Sequence, residues 1–460
     1  MKRFRTDNTG AALTRRSAIL GAGALAACNN SAAVAQRSGA HPLWPLAGTP
    51  VLRGAVIAQR RRRIEVDGTT FGGGGPVLPA YRRSDFDGLA RAGANLVVMS
   101  FPEFWTVGAP WKRDAQMADV LGRQLDDAKA AGLYVVLAIR SGPGRSDFVF
   151  HRDAQDTWFP ARLIDDSVWR EEGAQAAWAA MCEDAANLVR SRSEVAGLNI
   201  MVEPEPNVGG LNREGGRLGA WTPEDYTAQL SEISDWKRIA GDIARKVRAA
   251  ARDLPILISP PSFGRTEFLS VMGAPPVKGV VWCVHDYEPR AFTHHPEAAA
   301  GHTVFSEGGE QAFAARVDRV RTGDVPVFLG EFGASRWAKG VDDYYAARIA
   351  ACEARGIGWA AFRWPTQDAA YEQSDNMFNV MMAGRDDRPA LDTLQPAWAK
   401  NAQRPGGMRL RGRSSPNCSR QSPAARMTAA SVRRAPNPSR RNHQPMIAAK
   451  TTAVSRMADM

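Results

Sequence analysis

Residues 94–101 read ANLVVMSF, and residues 133–140 read LYVVLAIR. Both runs are short and nearly continuous in apolar residues, which is typical of strands buried on both faces of a parallel sheet. Apolar residues recur between them at three- and four-residue spacing, at Met117, Leu121, Leu125 and Ala128. This spacing predicts a helix with one buried face. The segment therefore predicts a strand–helix–strand unit.

Six further runs of the same kind occur outside this unit, at residues 53–58, 198–202, 256–259, 280–285, 325–329 and 358–362. Most of the eight runs are separated by helical patterns, and the eight strand–helix units together cover about 350 residues. They predict an α/β fold, a (β/α)8 TIM barrel with long βα loops. An open, doubly wound sheet is the alternative. In a barrel, chemistry lies at the carboxyl ends of the strands, so polar residues there are the candidate site residues.

The charge of the chain is concentrated at its two ends. The 460 residues carry a formal net charge of +11, which would indicate a nucleic-acid or membrane partner if it covered the fold. Residues 401–460 hold 12 basic residues against one acidic residue, and residues 1–40 hold six against one. Residues 41–400 hold 41 basic and 46 acidic residues and are mildly acidic. We therefore expect no nucleic-acid partner.

Composition divides the chain into three parts: an export region at 1–35, the predicted barrel at 36–400 and a basic tail at 401–460. The tail is rich in Arg, Ser, Pro, Ala and Asn and has few aliphatic residues. Such a segment cannot bury enough apolar surface to offset its ordering entropy, so we expect it to be disordered and dispensable. A basic arm that binds an anionic polymer is the alternative.

The N-terminus is typical of an export signal. Arg15 and Arg16 precede a short apolar run at residues 18–27. The pattern resembles a twin-arginine signal, which hands a folded protein to the twin-arginine export machinery. Two cleavage sites compete. A lipobox ending at Cys28 would leave a lipidated, membrane-anchored protein, whereas an A-x-A site at residues 33–35 would release a soluble periplasmic or secreted one.

Three cysteines, Cys182, Cys283 and Cys352, fall within predicted core elements. Their spacing does not match a zinc site, since no C-x-x-C pair occurs. One disulfide is conceivable outside the cytoplasm, but separated thiols in core elements are more often simply buried. We therefore expect three buried thiols.

Two carboxylates follow predicted strands four and seven. Glu203 lies in NIMVEPEPN (residues 199–207), and Glu331 lies in VFLGEFG (residues 327–333). Glycoside hydrolysis needs two facing carboxyl groups, one protonated to assist the leaving group and one ionised to attack or to activate water. Glu205 competes with Glu203, because it has the same strand parity. We rank Glu203 first, since it directly follows the apolar strand.

These motifs resemble glycoside hydrolase family 5. The resemblance rests on G-E-F-G after strand seven, H-x-Y on strand six and E-P on strand four, and it covers about two-thirds of the chain. It implies a retaining, cellulase-like β-glycosidase of the (β/α)8 clan, acting on a β-linked glycan such as a β-glucan or a mannan. It also implies that Glu203 is the acid/base and Glu331 the nucleophile.

The same resemblance assigns three residues to substrate. His285 and Tyr287 match a family histidine and tyrosine that contact substrate and hold the nucleophile, so Tyr287 is expected to hydrogen-bond Glu331. Trp364 matches the tryptophan that forms the floor of the subsite where the bond breaks. An aromatic plane there suits the apolar C–H face of a sugar.

The chain departs from the family at several positions. Val202 stands where the family has an asparagine that binds the sugar 2-hydroxyl, and the basic residue usual on strand two is missing. Arg140 ends strand three where the common form has histidine, and it is a further candidate for substrate binding. Asn207 is a candidate to take over the 2-hydroxyl contact.

We therefore expect a monomeric, exported retaining glycoside hydrolase that needs neither a metal nor an organic cofactor. The departures keep a second hypothesis open, a catalytically inactive barrel that binds carbohydrate. A third is a protein that binds an anionic polymer through its basic tail.

Overall fold

The computed structural model of the protein describes residues 41–61, 81–149, 161–206, 222–228, 230–294, 305, 307–321, 324–366, 377–381 and 390–407. The predicted export region with Cys28 lies outside these residues. So do Asn207 and the tail beyond residue 407.

Eight strands form a closed parallel barrel in which each strand pairs with the next along the chain and the last pairs with the first. They are β1 (Arg53–Ala58), β2 (Leu96–Phe101), β3 (Tyr134–Ile139), β4 (Val195–Asn199), β5 (Ile256–Ile258), β6 (Val280–His285), β7 (Val327–Phe332) and β8 (Gly358–Ala361). The predicted (β/α)8 barrel is confirmed, and the open sheet is excluded.

Helices connect the strands, and the last helix follows β8. They are α1 (Arg83–Arg91), α2 (Ala115–Ala130), α3 (Glu172–Val189), α4 (Pro223–Ala228), α5 (Trp236–Ala250), α6 (Leu269–Met272), α7 (Arg290–His294), α8 (Glu307–Val320), α9 (Val341–Glu353) and α10 (Leu391–Trp398). Short 3-10 helices occur at Ala161–Leu163, Ser167–Trp169, Thr266–Phe268 and Pro405–Gly407.

Helix α2 shows how sequence fixes these elements. The Asp114 side chain accepts a hydrogen bond from the backbone N–H of Met117 and so caps the helix at its N-terminus. The residues predicted to form its apolar stripe are all buried, at Met117, Leu121, Leu125 and Ala128. The stripe packs against the strands, so the strand–helix–strand unit forms as predicted.

Alternate strand residues face opposite sides of the barrel wall. Val56, Val98 and Val136 belong to the apolar cluster inside the barrel, whereas their neighbours along the strands pack outwards against helices. Trp44 covers the amino-terminal end of this interior, donating from Nε1 to the Ala196 carbonyl at 2.9 Å and packing edge-on against Phe328. The interior is therefore a solid core, and only the carboxyl end is left for a site.

Two strand boundaries differ from prediction in ways that affect the site. β4 ends at Asn199 rather than at residue 202, and the chain bends through residues 200–203. The strand-parity argument that linked Glu203 and Glu205 therefore does not apply. β7 extends to Phe332, so Glu331 is a strand residue, and it pairs with His285 just after a shift in the β6–β7 register.

The folded part of the chain extends beyond the predicted boundary at residue 400. Arg404 is 5% exposed and donates to the Gly132 carbonyl at 3.1 Å. Asn401 donates to the Gly93 carbonyl at 3.0 Å and accepts from Arg53 at 3.2 Å. Residues 401–407 thus belong to the barrel, because they satisfy carbonyl groups just beyond the ends of α1 and α2.

The predicted buried thiols are confirmed, since Cys182, Cys283 and Cys352 are free and buried. Among the described residues, no helix has both the length and the apolar character needed to cross a bilayer.

Ending the chain at residue 407 should leave the melting temperature unchanged, whereas ending it at residue 400 should lower it. The shorter chain loses the five side-chain hydrogen bonds of Asn401 and Arg404. At about 0.5–1.5 kcal/mol each, this loss lowers the free energy of unfolding by roughly 2.5–7.5 kcal/mol. Differential scanning calorimetry of both truncations checks this. Equal melting temperatures would contradict the revised boundary.

Candidate active site

Glu331 lies near the carboxyl end of β7 with its side chain 9% exposed. The Tyr287 hydroxyl donates to Glu331 Oε2 at 3.0 Å, which is the hydrogen bond expected from the sequence. Nδ1 of His285 lies 3.6 Å from the same oxygen. The preceding residue is Gly330, where a Cβ would lie 2.5 Å from the Sγ of Cys283. Glycine is therefore what lets β7 pass this close to β6.

Glu203 reaches the same place from the bend after β4. Its φ of 49° lies in the left-handed region, which is unusual for a residue with a side chain. Oε1 of Glu203 lies 2.8 Å from Nδ1 of His285. One oxygen of Glu203, one oxygen of Glu331 and a ring nitrogen of His285 all lie within 4.8 Å of one another. The structure thus brings together four of the residues singled out in the sequence.

The charges of these groups are coupled. Burial raises the pKa of Glu331 to about 7, and the Glu203 carboxylate adds to the rise, while His285 and the Tyr287 hydrogen bond oppose it. Burial lowers the pKa of His285, but the Glu331 and Glu203 carboxylates outweigh it and raise that pKa well above its usual value. The cluster can therefore hold and release a proton near neutral pH, as acid–base catalysis requires.

Glu205 is excluded from this cluster. Its side chain is fully buried and forms an ion pair with Arg145, with Nη2 and Oε2 2.5 Å apart. Trp169 also donates to it from Nε1 at 3.4 Å. Of the two carboxylates that follow β4, only Glu203 lies beside Glu331.

Arg140 belongs to the framework of the barrel mouth, which corrects its prediction as a substrate ligand. Two of its N–H groups go to the Asp147 carboxylate, at 2.5 and 2.9 Å. Others reach the carbonyl and hydroxyl oxygens of Ser100 at 3.2 and 3.0 Å and the Gln59 carbonyl at 2.5 Å. With five donor contacts to protein groups, its guanidinium ties together the ends of β1, β2 and β3.

Trp364 is not a sugar platform, which corrects a second prediction. Its side chain is buried, and Nε1 donates to the Asp85 carbonyl of α1 at 3.1 Å. Its ring packs against Trp398 of α10 with centroids 6.4 Å apart. The chain has turned away from the barrel axis by residue 364, so this ring fills space between helices.

The aromatic residue that faces the site at the end of β8 is Phe362. It is half-buried, and its ring centroid lies 6.3 Å from that of Tyr287. Phe378, also half-buried, contacts both rings, at 5.9 and 5.5 Å. Phe362 was overlooked in the sequence although it follows β8 directly. Proximity to the strand end was the signal that could have found it.

Comparison with known proteins identifies the family. The model of the family described as Cellulase (glycosyl hydrolase family 5) matches residues 76–368, more than half of the chain. The chain belongs to glycosyl hydrolase family 5. It is therefore a glycoside hydrolase, and the resemblance drawn from the sequence motifs is confirmed. None of the curated proteins compared with the chain matches it.

Solved structures share the fold of this family 5 hydrolase at low sequence identity. Cel5A from Thermotoga maritima in complex with cellobiose is 18% identical with a TM-score of 0.53, covering 75% of this chain and 97% of its own. Endoglucanase Cel5A from Pseudomonas stutzeri is 15% identical with a TM-score of 0.53, covering 78% and 98%. Cellulose synthase subunit Z from Clostridioides difficile is 16% identical with a TM-score of 0.52, covering 75% and 99%.

The position before Glu203 contributes no polar group to the site of this family 5 hydrolase. Val202 is 3% exposed and packs in the apolar cluster inside the barrel. The nearest preceding amide, Asn199, is also buried and donates towards Ser259 at 3.3 Å and Cys283 at 3.5 Å. The candidate replacement, Asn207, lies outside the described residues.

The cluster of Glu203, His285 and Glu331 also has the composition and spacing of a metal site. The expectation that the enzyme needs no metal therefore stays a prediction. Activity that persists after dialysis against a chelator would support it.

Tyr287→Phe should move the acidic limb of the kcat/KM profile to higher pH. The substitution removes a hydrogen bond that favours the ionised Glu331, so the pKa of Glu331 rises further, by about one unit. A pH–rate profile on an aryl glycoside measures the shift. Tyr344→Phe is the matched control, because that buried hydroxyl bonds the Asp286 carbonyl instead, at 3.0 Å. If the acidic limb does not move in Tyr287→Phe, the pKa of Glu331 does not set that limb through this hydrogen bond.

Proposed function

We propose that this family 5 hydrolase cleaves a β-linked glycan with retention of configuration, using Glu203 and Glu331. The observation that carries the proposal is the approach of their carboxylate oxygens to within 4.8 Å. Retaining glycosidases hold their two carboxyl groups about 5–5.5 Å apart, whereas inverting ones leave about 6.5–9.5 Å for a water molecule. The short separation supports direct attack by one carboxylate on the sugar.

The surroundings of the two residues support their division of roles. Glu331 accepts the hydrogen bond from Tyr287, which opposes the rise in its pKa that burial causes and so favours its ionised form. Glu203 is 18% exposed, so a leaving group or a water molecule can reach it. Glu331 is thus suited to be the nucleophile and Glu203 the acid/base.

In the first step, Glu331 attacks the anomeric carbon while the bond from that carbon to the leaving oxygen breaks. Glu203 gives its proton to the departing oxygen, and a glycosyl ester forms on Glu331. In the second step, Glu203 takes a proton from water as the water oxygen bonds the anomeric carbon. The ester breaks, which frees the sugar and restores both residues.

Aromatic side chains that follow β7 and β8 support a sugar chain as substrate. Phe362 offers a half-buried ring beside Tyr287. Trp337 is the one large hydrophobic side chain that is exposed among the described residues, at 46%, and it follows Glu331 by six positions. Aromatic planes suit the apolar faces of sugar rings. Because solved structures of T. maritima Cel5A with this fold hold cellobiose and mannotriose, we propose a β-glucan or mannan substrate.

A carbohydrate-binding barrel without activity is the second candidate. Val202 favours it, because an apolar side chain replaces the family asparagine and cannot hydrogen-bond the sugar.

We further propose that the protein is exported in folded form through its twin-arginine signal and acts in the periplasm or outside the cell. The three free, buried thiols support this route, because a fold without disulfides among its core cysteines can form in the reducing cytoplasm. Lipidation at Cys28 would anchor the product to the membrane.

A hydrolysis screen over β-glucans, mannans and aryl β-glycosides should reveal turnover that Glu331→Gln abolishes. Loss of a nucleophile lowers kcat by at least about a thousandfold, while the melting temperature should hold, because glutamine preserves the shape of the side chain. Proton NMR of the first-formed product should show the β anomer. An active Glu331→Gln variant or an α-anomeric first product would contradict the proposal. Binding without product release would select the inactive barrel.

Replacing Arg15 and Arg16 together with lysine should keep the protein in the cytoplasm, because twin-arginine export depends on the arginine pair. Cell fractionation of the full chain measures this. Cys28→Ser is the companion variant, which should release an anchored protein into the soluble fraction. Normal export of the double-lysine variant would contradict the proposed route.

A further inference from the structure

A fully buried ion pair lies beneath Glu203. The Arg145 and Glu205 side chains are both 0% exposed. Arg145 donates to Glu205 from Nε at 3.0 Å and from Nη2 at 2.5 Å, so both carboxylate oxygens are used. Removing two charges from water is unfavourable, and buried pairs are often replaceable by apolar residues without loss of stability. A contribution to stability alone is therefore a weak explanation for the presence of this buried ion pair.

Arg145 joins the ends of two neighbouring strands. Its Nη2 donates to the Glu203 carbonyl at 3.0 Å, and its Nη1 donates to the Arg140 carbonyl at the end of β3. Its backbone is fixed by two hydrogen bonds with Gly142, each of 2.9 Å. The guanidinium is thus held by Glu205 on one side and holds the Glu203 backbone on the other.

The Glu203 backbone needs such support. Its φ of 49° costs about 1–3 kcal/mol for a residue with a side chain and persists only where the surroundings enforce it. This conformation also sets the direction of the side chain, whose Oε1 meets His285 at 2.8 Å. If the peptide relaxed to an ordinary conformation, the carboxyl group would leave its place opposite Glu331.

We propose that Arg145 and Glu205 are positioning residues that hold Glu203 in its strained conformation and so aim its carboxyl group at the leaving oxygen. The proposal rests on the proposed function, in which Glu203 is the acid/base. General acid catalysis requires hydrogen-bond reach of about 2.6–3.2 Å, and a misplacement of about 1 Å can lower a rate on the order of a hundredfold. The second glutamate of the E-P-E sequence thus acts through the first.

Comparing substrates with different leaving groups distinguishes a positioning role from a general loss of structure, because only some leaving groups need a proton. A dinitrophenolate leaves without a proton, whereas an alkoxide or an unactivated sugar needs one. Glu205→Gln should therefore lower kcat/KM on an oligosaccharide by about 10- to 100-fold and on a dinitrophenyl glycoside by less than about threefold. Glu203→Gln should show the same pattern with a larger loss on the oligosaccharide.

Asp286→Asn is the matched control. Asp286 is also a buried carboxylate between arginines, paired with Arg348 at 3.0 Å and Arg316 at 2.5 Å. Its backbone N–H donates to the Glu331 carbonyl at 3.0 Å, so it supports the nucleophile rather than the acid. Its substitution should lower kcat/KM on both substrates by the same factor. An equal loss on both substrates in Glu205→Gln would overturn the proposal.

A second measurement requires no turnover. The Glu203 carboxylate helps to raise the pKa of His285, so displacement of Glu203 should lower the His285 pKa measured by NMR titration. His285→Gln identifies the resonance. A fall in the His285 pKa in folded Glu205→Gln supports the positioning role, and an unchanged pKa overturns it. This result can be read even if the wild type hydrolyses no substrate in the screen and the proposed function fails.

Arg145→Lys covers the case in which Glu205→Gln does not fold. Lysine keeps the charge opposite Glu205, but its single ammonium cannot bridge the Glu203 and Arg140 carbonyls as the guanidinium does. The same selective loss on the oligosaccharide and the same fall in the His285 pKa are expected. A folded Arg145→Lys protein with wild-type values for both would overturn the proposal.

Discussion

The close approach of the Glu203 and Glu331 carboxylates, which repel each other when both are ionised, determines which groups surround them. Their oxygens lie within 4.8 Å, and Glu331 is almost fully buried, so ionising both groups at once is unfavourable. Burial raises the pKa of Glu331, and the charge of Glu203 adds to this rise. His285 and Tyr287 partly compensate by directing N–H and O–H groups at the two carboxylates. As a result, the site retains a proton at pH values close to neutral.

Such a cluster holds its geometry only on a rigid support. Asp286 lies between the two residues that contact Glu331, and its carboxylate is fixed by Arg348 and Arg316. On the opposite side, Arg145 anchors the bend that carries Glu203. Each support includes a fully buried arginine, Arg145 or Arg348, that contacts both a backbone carbonyl and a carboxylate. The barrel therefore positions its strand ends, and these ion pairs contact the backbone on either side of the Glu203–Glu331 pair.

The sequence was sufficient to predict the barrel, because eight apolar runs alternate with helical patterns and β1 and β6 have the predicted bounds. It was also sufficient to bring Glu203 and Glu331 into one site, since Glu203 follows β4 and Glu331 lies near the carboxyl end of β7. Prediction failed where the chain leaves regular structure. Trp364 points between helices because the backbone turns after β8. The guanidinium of Arg140 donates its hydrogen bonds to neighbouring protein groups, among them the Asp147 carboxylate. Neither the turn nor the competing partners could be read from strand periodicity.

Trapping the covalent intermediate tests whether Glu331 is the nucleophile. A 2-deoxy-2-fluoro β-glycoside of the sugar found in the screen slows the second step more than the first, so the glycosyl ester accumulates. Mass spectrometry of digested protein should then find the sugar on the peptide that contains Glu331, at one sugar per chain. An adduct on Glu203, or turnover with inversion and no adduct, would contradict a retaining mechanism with Glu331 as the nucleophile.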